Sequence, residues 1–490
     1  MKDTVSVADL MQASGVAFGT SGARGLVSAM TDQVCHGYAA GFLAYLTSQR
    51  LWKAGDRVVL GGDLRPSTPR IIAACALAVE DLGGEPVFCG FVPTPALACY
   101  AISEGIPAIM VTGSHIPDDR NGIKFYRPDG EILKYEEPQI LGQPVHPRLW
   151  NAAGEAASLP ALTLHEGIGA AYVRRYVDYF GPDCLSGARV GVYQHSAVGR
   201  DILVEVLEGL GAEAVALGRS DSFIPVDTEA VREEEIALAR GWANEHRFDA
   251  IVSTDGDSDR PLVADETGEW LRGDVLAMLC ARDLGMQMVV TPVSSNTAAE
   301  RSGFFARVAR TRIGSPYVLA AMQTALASGE TLVCGYEANG GFLLGSNVTN
   351  QRAVMVALPT RDAILPILSI LVAARGGSIR QIVAELPSRF TFSDRIAEFA
   401  PERSAALMAW MTLEAGAEAR LSEAFGPIAG APLIDVNRTD GVRLTFANGH
   451  IIHLRQSGNA PELRCYAEAE DQLMTRTLAV EALALIAQQF

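Results

Sequence analysis

The sequence predicts an α/β protein built from three related units, followed by a separate, smaller α+β domain. Three observations predict it. A chain of 490 residues is too long for one hydrophobic core, and the usual size of compact units points to about three or four domains. A strand, loop and helix pattern near the N-terminus returns in the same order about 130 residues later. The final stretch of roughly a hundred residues changes character, with alanine-rich helical sequence set between short strand-like segments.

The first unit is announced by Arg57 to Leu60, which is apolar and β-rich, then the turn-rich loop GGDLRPSTP, then Ile71 to Leu82 with apolar residues at helical spacing. Thr68 and Pro69 suit the N-cap and first helical positions, and Gly83 suits the stop. The segment GARVGVYQHSAVGRDILVEVLEGLGAEAV echoes GDRVVLGGDLRPSTPRIIAACALAVEDLGGEPV, which reads as an internal repeat. A weaker third copy begins at Met288 with MVVTPVSSNTAAE. Beyond it, Ser404 to Ala424 reads as helix, and Val442 to Phe446 and His450 to Leu454 read as strands.

Composition narrows the function. The 49% hydrophobic and 20% charged content is that of a folded chain. With 40 basic against 57 acidic side chains the formal charge is -17, which repels a polyanionic backbone and argues against nucleic-acid binding. An anionic substrate must then be drawn in by local clusters of arginine and backbone N–H groups. The N-terminus MKDTVSVADL lacks a signal pattern, and the longest apolar run, Ile364 to Ala374, is shorter than a bilayer span. A cytoplasmic protein with no membrane partner is expected. Eight scattered cysteines without a Cys-x-x-Cys pair suit reduced, buried thiols.

Four segments carry chemistry. In IMVTGSHIPDDRNGIKFY, Ser114 sits in a loop directly after the β-rich Ile109 to Thr112, followed by His115 and Lys124. Serine needs a base and cationic neighbours to act as a nucleophile, and His115 and Lys124 can supply them. An ordinary polar surface loop is the plainer reading of this segment alone. The Gly-x-Ser-x-Gly elbow of acyl hydrolases is missing.

In DAIVSTDGDSDRP, Asp255, Asp257 and Asp259 alternate after a strand-like run. Three crowded carboxylates call for a cation, and a small set of hard oxygen ligands suits Mg²⁺. Arg260 follows immediately and can meet an anionic substrate. A calcium EF-hand fails because Arg260 stands where glycine is required and a strand precedes the loop; a solvated acidic turn remains as the bland alternative.

In HLRQSGNAPELRCY, Arg455, Ser457, Gly458, Asn459 and Arg464 surround a turn between two strand-like runs. Successive N–H groups, a hydroxyl, an amide and arginines make a phosphate grip. In CGYEANGGFLLG, Glu337 and Asn339 lie in a Gly-rich loop after the apolar Thr331 to Cys334 and could read a pair of sugar hydroxyls. A polar hairpin and a common Gly-rich loop are the respective plain readings.

Together these segments resemble the α-D-phosphohexomutase superfamily over nearly the whole chain. FGTSGARG (Phe18 to Gly25) is similar to the family's opening signature, whose arginine, here Arg24, contacts the phosphoserine region. TGSHIP resembles the phosphoserine loop, DGDSDR the magnesium loop, YEANGG the sugar-specificity loop and RQSGNAPELR the phosphate loop of the last domain. The resemblance implies three related mixed-sheet α/β domains plus a smaller C-terminal α+β domain around a central cleft. The expected divisions are 1–160 for the phosphoserine-loop domain, 161–268 for the metal-loop domain, 269–380 for the sugar-specificity domain and 381–490 for the phosphate-binding domain.

The implied activity interconverts a hexose 6-phosphate and a hexose 1-phosphate through phosphorylated Ser114 and a hexose 1,6-bisphosphate. Mg²⁺ would be held by Asp255, Asp257, Asp259 and a phosphoseryl oxygen of Ser114, with Lys124 and His115 handling protons. The sequence departs from the family at Ile116, at Ala338, Asn339 and Gly341 of the sugar loop, and at Ala460. None of these removes the nucleophile, a metal ligand or an arginine, but the histidine missing at Gly341 removes a possible donor. Mannose phosphates are the expected substrate, with glucose phosphates also used and a phosphoglucosamine mutase as the alternative. An aspartyl-nucleophile phosphatase and a non-catalytic phosphosugar-binding protein are the readings from other classes. A monomer or homodimer is expected.

Overall fold

A computed structural model describes residues 5–145, 148–412, 416–456 and 462–490. The first sheet runs in the order Ala17–Phe18, Ala23–Leu26, Arg120–Arg127, Ala108–Val111, Arg57–Gly62, Glu85–Phe91, with Gly130–Glu131 paired to Arg120–Arg127. Its parallel half is joined to an antiparallel half at the pairing of Ala108–Val111 with Arg120–Arg127. The second sheet runs Pro261–Ala264, Ala250–Thr254, Arg189–His195, Glu213–Arg219. The third runs Arg307–Thr311, Met288–Pro292, Val333–Tyr336, Phe342–Leu344, Leu358–Asp362. The fourth is wholly antiparallel, in the order Phe390–Ile396, Leu463–Ala469, Ile451–Gln456, Val442–Phe446, Leu433–Asn437.

The repeat goes deeper than its sequence echo. In each of the first three sheets a parallel strand ends in a loop, and the chain returns as its antiparallel neighbour: Ala108–Val111 to Arg120–Arg127, Ala250–Thr254 to Pro261–Ala264, and Val333–Tyr336 to Phe342–Leu344. The serine, acidic and Gly-rich loops fill that same position in the three units. Loops beyond the carboxyl ends of parallel strands are where α/β folds place ligands.

One continuous apolar core joins the three units. It takes Leu97 and Met110 from the first, Val190 and Leu203 from the second, and Leu279 and Leu368 from the third. The apolar run beginning at Ile364 is the buried helix Ile364–Ala373, and among the described residues no helix is long and apolar enough to cross a membrane. The C-terminal unit keeps its own core of Phe399, Phe425, Leu444, Leu454 and Leu478. All eight cysteines are free thiols, six of them buried.

Three local expectations need correction. Thr68 is the first residue of the helix Thr68–Asp81, not its cap, because its hydroxyl donates to Asp63 Oδ1 at 2.8 Å. The helical stretch from Ser404 to Ala424 is divided between Pro401–Thr412 and Ala417–Ala429. Of the apolar segment Thr331 to Cys334 before the Gly-rich loop, the strand takes in only Val333 and Cys334, since Leu332 has a φ of 50°, away from extended backbone.

Two buried histidines tie stability to pH. His195 Nε2 donates to the Thr254 carbonyl at 2.8 Å, and His453 Nε2 donates to that of Asp440 at 2.6 Å. Burial pushes both down from 6.5 to about 4. Between those values the unfolded chain binds protons that the folded chain refuses, so their contribution is complete above 6.5 and is lost as pH falls toward 4. Urea unfolding is expected to show stability falling by about 1 kcal/mol per pH unit for each histidine across that window. A smaller slope in His453→Asn would confirm the assignment.

Candidate active site

The serine loop is held in a conformation that the chain does not adopt unaided. Ser114 has a φ of 57°, in the left-handed region that side chains avoid. Its N–H donates to Thr112 Oγ1 at 2.8 Å, and the buried Arg65 grips the loop from behind. The Arg65 guanidinium donates to the carbonyls of Ser114, Ile116, Pro117 and Arg120 at 2.6 to 3.1 Å, while its Nε donates to Asp63 Oδ2 at 3.1 Å. Gly113 makes the room, since a Cβ there would lie 2.6 Å from the Arg65 guanidinium carbon. Arg65→Met is expected to cost on the order of 3–5 kcal/mol, because it strands the Asp63 charge in the interior and frees four carbonyls. Urea unfolding measures that loss.

The acidic loop meets the serine loop edge to edge. A Cβ on Gly256 would lie 2.6 Å from the Ser114 carbonyl oxygen, so only glycine allows the approach. Ser114 Oγ donates to Asp255 Oδ2 at 2.6 Å. Asp257 Oδ2 accepts from Thr94 Oγ1 at 2.6 Å and from Lys124 Nζ at 2.6 Å, and Lys124 also donates to Asp259 Oδ2 at 2.7 Å. Strand register brings Lys124 there, for it pairs with Met110 next to the strand that leads into the serine loop.

Donor atoms from Asp255, Asp257 and Asp259 lie within 4.8 Å of one another, and all three residues are buried. Asp257 Oδ1 and Asp259 Oδ1 are buried with no hydrogen-bond partner. Burial, Asp257 and Asp259 push Asp255 well above the usual carboxylate range. Burial opposes ionisation of Asp257 as well, but Lys124 and Thr94 outweigh it and hold that carboxyl low. Two orphaned oxygens, beside a third carboxyl that burial and its two acidic neighbours push up despite Arg260 3.8 Å away, fit a divalent cation. The residues that would hold it are Asp255, Asp257, Asp259 and the adjacent Ser114.

Cations line the same cleft. Arg260 Nη1 donates to His115 Nδ1 at 2.8 Å, which leaves the ring proton on Nε2, and His115 Nδ1 lies 3.3 Å from Ser114 Oγ. Burial and the Arg260 charge lower His115 to about 3, so its ring is neutral at ordinary pH. Arg24 is paired in the first sheet through its backbone, but its guanidinium has no hydrogen-bond or ion-pair partner among the described residues. Burial, with Arg260 and Arg361 nearby, lowers it to about 10, and it remains a cation available to an anion. Glu337 is buried beside the acidic loop. Asn339 Oδ1 accepts from Gly341 N–H at 3.0 Å, which leaves its amide to donate.

Arg455 and Arg464 lie directly opposite each other on adjacent strands of the C-terminal sheet. Arg455 Nε donates to Asp440 Oδ1 at 2.9 Å, and Asp440 Oδ2 accepts from Ile313 N–H of the third unit, also at 2.9 Å. Ser457, Gly458 and Asn459, expected at the turn between those strands, lie outside the described residues. Arg65, Thr94 and Arg361 escaped the sequence reading. Arg65 sits in a loop read only as a turn, and the signal for it was an Asp-x-Arg spacing beyond the end of a central strand.

Serine, acidic and Gly-rich loops on repeated α/β units define this chain as a member of the phosphoglucomutase/phosphomannomutase family. The family's alpha/beta/alpha domains I, II and III match residues 15–143, 170–268 and 272–390, and its C-terminal domain matches 406–485. The chain is similar to two proteins named phosphomannomutase. That of Salmonella muenchen is 44% identical over 96% of this chain and 96% of its own length, and that of Sinorhizobium fredii is 44% identical over 96% and 99%. The phosphoglucosamine mutase of Symbiobacterium thermophilum is 31% identical over 70% of this chain and 77% of its own. A solved phosphoglucomutase/phosphomannomutase family protein of Burkholderia thailandensis has the same fold, with a TM-score of 0.73 at 18% identity over 97% of both chains.

Proposed function

We propose that this protein interconverts mannose 6-phosphate and mannose 1-phosphate, uses glucose phosphates as well, and works through phosphorylated Ser114 and a hexose 1,6-bisphosphate. The observation that carries the reading is Ser114 Oγ at 2.6 Å from Asp255 Oδ2, beside two buried carboxylate oxygens that lack partners. Both relatives at 44% identity bear the phosphomannomutase name, whereas the phosphoglucosamine mutase matches less of the chain at 31%.

In the forward half-reaction the bond between phosphorus and Ser114 Oγ breaks as one forms to the free sugar hydroxyl, whose proton passes to a side chain. The bisphosphate turns end for end, and its other phosphate returns to Ser114 as the sugar oxygen takes a proton back. Proton handling falls to Lys124 and His115. The neutral His115 ring takes the sugar proton at Nδ1 once Arg260 turns from it to the phosphate, and gives it back in the return step, while Lys124 supplies positive charge beside it. Arg24 and Arg260 balance charge on the transferring group, and Glu337 with Asn339 meets the ring hydroxyls. Arg455 and Arg464, with Ser457, Gly458 and Asn459, hold the phosphate that does not react. Asp255, Asp257, Asp259 and Ser114 would hold Mg²⁺, which would supply Lewis acidity toward a phosphoryl oxygen.

The C-terminal unit closes the cleft against water, which would otherwise hydrolyse the phosphoenzyme. Divisions near residues 160, 268 and 380, a cytoplasmic location and a monomeric or homodimeric state belong to the same proposal. A coupled assay of mannose 1-phosphate, glucose 1-phosphate and glucosamine 6-phosphate, each with its bisphosphate activator, tests the substrate. Mannose 1-phosphate is expected to give the highest kcat/KM, and a preference for glucosamine 6-phosphate would overturn that choice. Acid-stable phosphate on Ser114 in a digest separates this scheme from an aspartyl nucleophile.

A further inference from the structure

The cleft holds a cation that no motif announced. Arg361 lies on the strand Leu358–Asp362 and is 2% exposed. Its Nε and Nη2 donate to Asp259 Oδ2 at 3.0 and 2.8 Å, and its Nη1 donates to Glu337 Oε2 at 2.9 Å. One planar guanidinium therefore ties the acidic loop of the second unit to the Gly-rich loop of the third. The space it fills belongs to Gly341, where a Cβ would lie 2.6 Å from Arg361 Cδ and 2.8 Å from its Cγ. The φ of Gly341 is not in the left-handed region, so glycine is needed there for room and not for backbone freedom.

We infer that Arg361 is the positioning residue for sugar recognition: it fixes the Glu337 carboxylate in one orientation, and Gly341 is its steric counterpart. Arg361 occupies Glu337 Oε2, and Oε1 has no hydrogen-bond partner among the described residues, so Oε1 is the oxygen offered to a hydroxyl. A free glutamate would lose rotamer entropy on gripping a sugar, and a charge-assisted bond made beforehand removes that loss. The same guanidinium, with Lys124, takes up Asp259 Oδ2 and leaves Oδ1 to face the acidic cluster. Sugar seat and metal seat are thus kept in register by one side chain. This rests on the reading of the Glu337 loop as the part of the site that faces the sugar.

A double-mutant cycle of Arg361→Met and Glu337→Gln tests it, read both as the Kd of mannose 1-phosphate by calorimetry and as kcat and KM. Each single change is expected to raise Kd and KM about tenfold, with a smaller effect on kcat, and the double variant to be no worse than either single. Gly341→Ala, which displaces Arg361 without removing a charge, is expected to raise KM similarly and to add nothing on top of Arg361→Met. Additive losses in the cycle, or a parental KM in Gly341→Ala, would overturn the assignment. Should Arg361→Met fail to fold, Gly341→Ala combined with Glu337→Gln gives the same cycle. A parent that binds mannose 1-phosphate without isomerising it sinks the mutase reading while the Kd cycle still decides the role of Arg361. A parent that binds no hexose phosphate overturns both.

Discussion

Ser114→Ala is expected to lower mutase turnover by about 10⁴-fold or more, because no other group can carry the phosphoryl between the two sugar oxygens. Folding should survive the change. The left-handed conformation at Ser114 costs an alanine about 1 kcal/mol, as it does the serine, and Arg65 pins the loop through carbonyls that the substitution leaves in place. The bond lost is Ser114 Oγ to Asp255, and Asp255, raised by burial and by Asp257 and Asp259, can keep a proton in its stead. Steady-state assays beside a thermal melt separate the two effects. A variant that turns over hexose phosphates at the parental rate would end the proposal.

Stripping divalent metal is the second large effect, with turnover falling on the order of 10³-fold and returning on addition of Mg²⁺. The acidic cluster also predicts a signature apart from activity. Without a cation, burial and two neighbouring carboxylates hold Asp255 above its unfolded range. A group raised in this way contributes stability that is complete below its unfolded pKa and is lost as pH rises through its folded pKa. A bound cation replaces that proton and removes the loss. The gain in Tm from Mg²⁺ should therefore grow as pH rises. A gain that does not change with pH would mean that Asp255 is not titrating in the metal-free protein.

Much of this was legible in the chain because the decisive signals are local. An apolar run that stops at a polar, Gly-bearing loop marks the end of a strand, and such stops place Ser114, Asp255 and Glu337 beyond strand ends. The α/β class and its separate C-terminal domain follow from the same periodicities and the repeat. The helix Thr68–Asp81 was readable to within a few residues, but its cap was not, because the Thr68 hydroxyl is claimed by Asp63, five residues earlier in the loop after the strand Arg57–Gly62.

What escaped is what depends on distant partners. Arg65 reads as one charge in a turn until the fold brings four carbonyls to it. Arg361 reads as a strand-end arginine until Asp259, 102 positions away, meets it. Gly341 reads as a lost histidine until the side chain occupying its space is seen. The sequence by itself determined the class of fold, the family and the chemical types at the site, since these are carried by residue identity and short-range spacing. Only the tertiary structure decided which oxygen each aspartate leaves free, which way the His115 ring carries its proton and what holds Glu337, because hydrogen bonds act over a few ångströms and only the folded chain brings loops from separate units that close.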